Sequence, residues 1–167
     1  MKSTEIIAKP LNSESFRPYG SVIEIKEHNR KIVINQGNTV RHDALATVEL
    51  ACEDDLAVMS IFCSEPITTP FIATSMECHP CGSQAFMPLN ENPYLVAVAP
   101  AGDFDQKSVE LFLAQPHQGV NYKRGVWHHY NLPLSGLSHF FVVDRKGAGK
   151  NCNEVKLNPP LCFSLEE

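Results

Sequence analysis

Proline, glycine, asparagine and aspartate divide the chain into short apolar runs, and this pattern constrains the fold more than any other feature. Twelve prolines are spread along the sequence and oppose long helices. Regularly spaced short strands predict an all-β sandwich or barrel. The runs, which are rich in Val, Ile and Phe and have the length of strands, cover residues 21–25, 31–35, 44–50, 56–63, 71–77, 83–89, 94–100, 109–115 and 139–144.

One short helix is predicted near the N-terminus, in the stretch "NSESFRPYG". Asn12 or Ser13 can cap its first turn through a side-chain oxygen. Pro18 and Gly20 would end the helix. The expected class is therefore all-β with one or two short helices.

Length and charge narrow the range of functions. The chain has 167 residues, so we expect a single domain over residues 1–167. Its net charge is −5, with 14 Lys and Arg against 19 Asp and Glu and no basic stripe, so nucleic acid is not an expected partner. No apolar run approaches the ~18 residues of a membrane span, and the N-terminus lacks the apolar region of a signal peptide. We therefore predict a cytoplasmic protein that binds no membrane and whose six cysteines are mostly reduced thiols.

Two polar clusters contain the residues best suited to chemistry. The first, "MECHPCGSQAFMPL", carries Glu77, His79 and Gln84, and the second, "NYKRGVWHHY", carries His128 and His129. Adjacent strand residues point to opposite faces, so only one histidine of the doublet can face a given pocket. Convergence of one of them with the residues of the first cluster would form a nitrogen and oxygen pocket. Such a pocket suits a divalent metal such as nickel, zinc, iron or manganese, with Glu77 as a carboxylate ligand.

Other polar residues have two interpretations each. Cys78 and Cys81 form a C-x-x-C that could be a redox pair or half of a zinc site, but two free thiols on a turn are the favoured interpretation. Arg41, shortly after Gly37, could hold a carboxylate or lie solvated on a hairpin. Lys123 has the same two options in a loop.

A third polar pair ends a predicted strand. Asp144 and Arg145 come directly after the apolar run "FFVV". The glycines that follow are not succeeded by a helical pattern, so a phosphate-binding loop is not expected. A structural role is predicted for both residues.

The longer motifs resemble a known family. In chain order, "FRPYGSVIE", "NQGNTVR", "QAFMPL", "QGVNYKRGVWHH" and "VVDRKG" are similar to the ureidoglycolate lyases of the allantoin degradation pathway, from about residue 10 to about residue 163. The resemblance implies a cupin-like antiparallel β-barrel of the double-stranded β-helix or jelly-roll type. It also implies a homodimer.

The cupin motifs imply a set of site residues. Laid on the first motif, Glu77 and His79 take the places of its two histidines, and Gln84 that of its glutamate. On the second motif Gly125 and His128 match and Lys123 replaces a proline, so the resemblance places His128 and not His129 in the barrel. Two of the four usual ligands are altered, so a divalent ion such as nickel is expected to be weakly held, stimulatory or absent.

The resemblance implies the conversion of (S)-ureidoglycolate to glyoxylate and urea. The hydroxyl must lose a proton as the C–N bond breaks, and the departing nitrogen must gain one. On this basis His128 or His79 takes the hydroxyl proton and Gln84 orients the ureido group. The substrate carboxylate would be held by Arg41 or Lys123, with Asn35 and Asn121 as further polar contacts.

Three alternatives remain open from the sequence. A metal-dependent cupin isomerase or dioxygenase would hold metal tightly. A non-catalytic cupin would bind a small molecule without turnover. An amidohydrolase acting on the same substrate would release ammonia in place of urea.

Overall fold

The computed structural model describes residues 4–166, and β-strands dominate them, which confirms the predicted all-β class. The strands, numbered in chain order, are β1 Thr4–Ile7, β2 Lys9–Pro10, β3 Gly20–Ile23, β4 Lys31–Ile34, β5 Thr39–His42, β6 Leu56–Ser64, β7 Phe71–Cys78, β8 Gln84–Pro88, β9 Tyr94–Ala99, β10 Glu110–Ala114, β11 Gly119–Tyr122, β12 Trp127–His128, β13 Leu132–Pro133, β14 Ser138–Lys146 and β15 Asn153–Ser164. In the described part of the chain, no helix is long and apolar enough to cross a membrane.

The predicted N-terminal helix is present as one turn, α1 Ser13–Phe16. The side-chain oxygen of Asn12 accepts hydrogen bonds from the backbone N–H groups of Glu14 and Ser15, at 3.1 and 2.9 Å. This is the capping arrangement that the sequence predicts. Phe16 is fully buried and fixes the turn against the core. Two 3₁₀ turns, Asn35–Gly37 and Gln106–Ser108, complete the helical structure of the described residues.

The strands form two facing sheets and a separate hairpin. The first sheet has the order β1-β15-β7-β12-β9-β10-β2, with β13 also paired to β9, and the second has the order β3-β11-β8-β14-β6. The first sheet curls until β1 lies near β10, so it almost closes into a barrel, as the cupin-like prediction requires. Within residues 4–166, strands β4 and β5 pair only with each other.

Two apolar clusters lie on the two faces of the first sheet. Alternate residues of β9 serve both: Tyr94, Val96 and Val98 pack toward the second sheet, and Leu95, Ala97 and Ala99 pack into the curve of the first sheet. All six are buried, which explains why β9 is a continuous apolar run and not an alternating one. The open space at one end of the cluster between the sheets is where the polar residues gather.

The predicted strand at residues 44–50 is wrong. Ala44 has a positive φ of 52°, and Leu50 makes only an isolated bridge to Gly82. The segment runs over the outer side of the second sheet, where the Thr47 carbonyl accepts a hydrogen bond from Asn121. Its apolar alternation therefore reflects a covering segment and not a paired strand.

Several strands carry too weak a pattern to be predicted. Strand β11 begins with a glycine and contains a buried asparagine. Strand β15 contains two consecutive prolines, which the sheet accommodates at a shift in register between Lys156 and Leu161. Both strands border the site, so their absence from the sequence prediction matters for function.

Candidate active site

Strand pairing brings the two polar clusters together. β12 lies between β7 and β9, and His128 is directly opposite both Glu77 and Val98. Directly opposite residues share a face of the sheet, so His128 and Glu77 both point toward the second sheet. His79 follows on the turn between β7 and β8, at the same end of the barrel.

Three ligand-type side chains converge there. The Glu77 Oε1 atom lies 4.0 Å from His79 Nε2 and 3.9 Å from His128 Nδ1. The ring centroids of the two histidines are 5.1 Å apart. His128 is almost completely buried, whereas His79 and Glu77 are partly exposed.

Backbone carbonyls fix the tautomer of both histidines. His79 Nδ1 lies 2.6 Å from the Asn151 carbonyl oxygen, and His128 Nδ1 lies 3.2 Å from the His129 carbonyl oxygen. A carbonyl can only accept, so each Nδ1 is the donor and each Nε2 carries a lone pair. Both Nε2 atoms are buried and have no hydrogen-bond partner among residues 4–166. Two unused lone pairs therefore face the site.

Burial controls the charge of the inner residues. It lowers the pKa of His128 to about 3, with a smaller contribution from the neighbouring His79 in the same direction. Burial also raises the pKa of Tyr122 well above its ordinary value. The Tyr122 ring stacks on His128 at 4.3 Å with an interplanar angle of 3°, and its hydroxyl donates to the Asn131 side chain at 3.2 Å. Tyr122 and His128 are thus a stacked, uncharged pair at the buried side of the site.

Gln84 faces the same space from the second sheet. Its Nε2 donates to an oxygen of Asp144 at 3.2 Å. Its Oε1 is buried and has no hydrogen-bond partner in the described chain. The site therefore combines two imidazole lone pairs with an amide oxygen and the Glu77 carboxylate.

The residues present fit a divalent metal. Ligand atoms of Glu77, His79 and His128 all lie within 4.8 Å of one another. One carboxylate and two imidazoles suit divalent first-row metals. A ligating histidine usually donates its other ring N–H to a carbonyl or carboxylate, which is the arrangement of both histidines here.

Two cavities open on either side of the pair formed by His79 and Gln84. The aromatic cavity, of about 240 Å³, is lined by Phe62, Ser64, Glu77, His79, Gln84, Phe86, His128, Tyr130 and Asn131. The loop cavity, of about 350 Å³, is lined by His79, Ser83, Gln84, Asp144, Lys150, Asn151 and Cys152. His79 and Gln84 are thus accessible from both.

Lys123 and Asn121, predicted to contact substrate, are placed elsewhere. The Lys123 ammonium donates to the Arg17 carbonyl at 2.8 Å on the outside of the fold. The Asn121 side chain lies on the outer face of the second sheet and donates to the Thr47 carbonyl at 3.1 Å. Neither residue lines the aromatic or the loop cavity.

Arg41 and Asn35 also lie away from both cavities. They belong to the separate hairpin of β4 and β5, and both are exposed. The Arg41 guanidinium pairs with Asp43 at 2.7 Å, and Asn35 donates to the Thr39 hydroxyl at 3.2 Å. The hairpin pairs with no other strand of the described chain, and neither residue lines the aromatic or the loop cavity.

The sequence prediction missed that the end of β14 and the loop after it line the loop cavity. The structural role predicted for Asp144 and Arg145 fits Arg145, which forms a buried ion pair with Asp55. Asp144 instead points the other way, toward Gln84. Strand alternation across this doublet was the signal that could have separated them. Beyond it, Lys150 lines the loop cavity, and nothing in its local sequence indicates this.

The cysteines are free thiols. Cys78 is buried at the end of β7, and Cys81 lies partly exposed on the turn that follows it. The Cys152 thiol donates to Glu77 Oε2 at a sulfur–oxygen distance of 3.7 Å. Burial, and next the Glu77 charge, raises the pKa of Cys152, so the thiol form is favoured.

Comparisons with known proteins identify the family of the chain. The sequence model of the family described as ureidoglycolate lyase matches residues 3–164. A protein of Burkholderia mallei named ureidoglycolate lyase is 45% identical over 161 residues, covering 96% of this chain and 93% of its own. Proteins of the same name from Stutzerimonas stutzeri and Pseudomonas paraeruginosa are 48% and 49% identical over 147 residues, covering 87% of this chain and 86% of theirs. The chain therefore belongs to the ureidoglycolate lyase family.

Proposed function

We propose that the protein is a ureidoglycolate lyase, which eliminates urea from (S)-ureidoglycolate to give glyoxylate. The observation that carries this proposal is the pair of imidazoles, His79 and His128, which lie beside the Glu77 carboxylate and whose buried Nε2 atoms have no hydrogen-bond partner among residues 4–166. Membership of the family and the names of its relatives supply the substrate.

The reaction needs a group that moves one proton. As the C–N bond breaks, its electron pair goes to the departing urea nitrogen, and the O–H electron pair becomes the second bond of the glyoxylate carbonyl. The hydroxyl proton must leave and the nitrogen must receive one, so a single acceptor that returns its proton balances the reaction. Positioned proton transfer of this kind contributes roughly 10²–10⁴-fold to a rate.

We assign this transfer to His79. Its Nε2 carries the lone pair, because its Nδ1 donates to Asn151, and the side chain lines both cavities. His128 lines the aromatic cavity but not the loop cavity. Its Nε2 offers a second acceptor for a substrate hydroxyl or N–H group. Gln84 presents its amide oxygen to the same space and would orient the ureido group.

The same residues are the proposed ligands of a divalent ion such as nickel. Glu77, His79 and His128 would hold it, and the Gln84 amide oxygen is a candidate fourth ligand. When bound, the ion would supply Lewis-acid polarisation of a substrate oxygen. Ligation and proton transfer are alternative uses of the same lone pairs. We propose that the ion is weakly held and optional for turnover.

One assay tests the function. The protein is incubated with fresh (S)-ureidoglycolate, and glyoxylate, urea and ammonia are quantified with and without a chelator. We expect equal amounts of glyoxylate and urea. Ammonia in place of urea would show an amidohydrolase, and unchanged substrate even with added nickel would show a binding protein. Loss of urea release on chelation would show that the ion is required.

We also propose a homodimer. The family resemblance implies one, and the edge strand of the second sheet, β6, exposes large apolar side chains, which include Met59 and Ile61 on one face and Leu56 at its start. An exposed apolar edge strand is a ready template for pairing with another chain. Light scattering on the purified protein would test this, with Met59→Glu as the variant expected to produce monomers.

Three further predictions from the sequence stand as proposals. They are a single domain over residues 1–167, a cytoplasmic location, and a place in allantoin and purine degradation. The free thiol state of the cysteines is compatible with a reducing compartment. Fractionation of the source cells and detection with a specific antibody would test the location.

A further inference from the structure

We propose that the loop cavity is the substrate-recognition site, in which Lys150 holds the substrate carboxylate while Asp144 and Gln84 accept the N–H groups of the ureido end. This inference rests on the proposed function and deepens it. It replaces the carboxylate contacts predicted from the sequence, since Arg41 and Lys123 lie outside both cavities.

The orientation of the Gln84 amide leaves its oxygen without a hydrogen-bond partner among the described residues. Asp144 contributes a carboxylate oxygen at 3.2 Å, and a carboxylate accepts hydrogen bonds. The amide must therefore turn its Nε2 toward Asp144, which leaves Oε1 on the other side. Gln84 is only 7% exposed, and this Oε1 is buried with no partner among residues 4–166. A buried unpaired amide oxygen is costly, and a ligand N–H group would satisfy it.

Asp144 adds a second acceptor beside the first. It shares the inward face of β14 with Phe140 and Val142, since these residues alternate along the strand. Within the described chain it forms no ion pair with a lysine or arginine, unlike the neighbouring Arg145, which pairs with Asp55. Most of its capacity to accept hydrogen bonds therefore remains available. Adjacent acceptors match the adjacent N–H donors of a ureido group.

Lys150 supplies the charge that an anionic substrate needs. Among the described residues that line either cavity, it is the one with a cationic side chain of the lysine or arginine type. It forms no ion pair within residues 4–166. Its ammonium is therefore available to a carboxylate.

The loop that carries Lys150 is fixed at both ends. At one end, Arg145 donates to the Ala148 carbonyl at 2.6 Å while it pairs with Asp55. At the other end, the Asn151 side chain accepts from the Cys81 N–H at 2.8 Å, and its carbonyl accepts from His79. The backbone that carries Lys150 is thus held at a defined place relative to the proposed proton acceptor.

Charge then sets the direction in which the substrate binds. The carboxylate is attracted to Lys150 and repelled by Asp144, whereas the ureido N–H groups are attracted to Asp144. The carbon that bears the hydroxyl lies between these two ends of the molecule. His79 lines the same cavity, and its Nε2, which has no hydrogen-bond partner among residues 4–166 and lies 4.0 Å from Glu77 Oε1, is the proposed proton acceptor.

The test uses a probe that binds without reacting. N-carbamoylglycine has the carboxylate and the ureido group but lacks the hydroxyl, and its affinity is measured by calorimetry on the purified full-length protein. We expect Lys150→Gln and Asp144→Asn each to weaken binding by about tenfold or more, since each removes a charged hydrogen-bond partner. Lys146→Gln is the matched control, because this exposed lysine of β14 lines neither cavity.

Inhibition by glyoxylate tests the carboxylate end of the proposed site separately from its ureido end. This product carries the carboxylate but no ureido group, so its inhibition of turnover should weaken in Lys150→Gln and should not weaken in Asp144→Asn, which removes a negative charge. Wild-type affinity for N-carbamoylglycine in Lys150→Gln, in a variant whose thermal unfolding is unchanged, would overturn the inference. Equal loss of glyoxylate inhibition in both variants would overturn the assigned direction.

The design also distinguishes this inference from the proposed function. If the wild-type protein releases urea but Lys150→Gln keeps its KM, the recognition site is wrong and the lyase assignment stands. If the wild type binds N-carbamoylglycine in the predicted way but releases no urea, the lyase assignment fails and the recognition site stands.

Discussion

His128 and His129 are adjacent and both buried, yet they belong to different regions of the molecule. His128 faces the space between the sheets, where it meets Glu77, His79 and Tyr122. His129 faces the curve of the first sheet, where the edges of its ring meet aromatic rings at 5.5 and 6.0 Å. Each donates its Nδ1–H to a backbone carbonyl.

Both histidines are buried and have a fixed tautomer, so these two properties do not distinguish a residue of the candidate site from a residue of the core. Burial lowers the pKa of both residues, so both are neutral at pH 7. What differs is the set of neighbours of each ring. His128 lies beside Glu77 and His79 and lines the aromatic cavity, whereas His129 packs against Phe71 and Phe163 and does not line that cavity. We propose that the first arrangement serves chemistry and the second serves stability, and substitutions can separate the two.

The largest expected effect is the loss of activity when a histidine of the candidate site, His79 or His128, is replaced. We expect His79→Ala to lower kcat by roughly 10²–10⁴-fold, because it removes the proposed proton acceptor. His128→Ala should also lower activity strongly, because it removes the second unpaired Nε2 from the site. Glyoxylate release per folded molecule is the measurement, with circular dichroism to confirm folding. Full activity in both variants would remove the basis of the proposed mechanism.

On the other side of the comparison, His129→Ala should cost stability and spare chemistry. The substitution leaves a cavity against Phe71 and Phe163, and truncation of a large buried side chain costs about 3 kcal/mol. Urea denaturation measures the change in the free energy of unfolding. A variant as stable as the wild type but with tenfold lower kcat would place His129 in the site.

Metal affinity gives a third way to separate the regions. Glu77→Gln removes the carboxylate of the candidate metal triad and should weaken nickel binding by about tenfold or more. Glu154→Gln is the matched control, since Glu154 is directly opposite Glu77 on β15 but is exposed and outside the triad. Calorimetry with nickel alone measures both. Equal affinities in the two variants would argue against the triad.

The sequence predicted the general architecture because strand length, turn residues and proline content are local signals. The residues alone indicated Glu77, His79 and Gln84 with one histidine of the doublet, and the resemblance to the cupin motifs implied His128; the structure brings these four side chains together. Whether these residues act as proposed is the subject of the experiments above. Arg41 shows the limit: it follows a strand like a site residue, but it lies on a hairpin that pairs with no other strand.

The residues that the sequence did not indicate reach the site through long-range contacts. Lys150 and Asn151 lie in a loop of small and polar residues with no periodicity. Asn151 fixes the tautomer of His79 across 72 positions of the chain. Only the pairing of β15 with β7 brings this loop beside the site, and register between distant strands is not encoded in either strand alone.

The smallest expected effect concerns the contact that joins His128 to the core. Tyr122→Phe keeps the ring that stacks on His128 but removes the hydroxyl that donates to Asn131 at 3.2 Å. Loss of one neutral hydrogen bond costs about 1 kcal/mol, so the free energy of unfolding should fall by that amount. If Tyr122 only supports His128 through ring stacking, kcat and KM of Tyr122→Phe should change less than twofold. Tyr122→Leu, which removes the stacked ring, should lower activity further. A loss of activity in Tyr122→Phe as large as that in His79→Ala would instead show that the hydroxyl takes part in the reaction. Tyr122 would then belong to the reacting residues and not to the residues that only support His128.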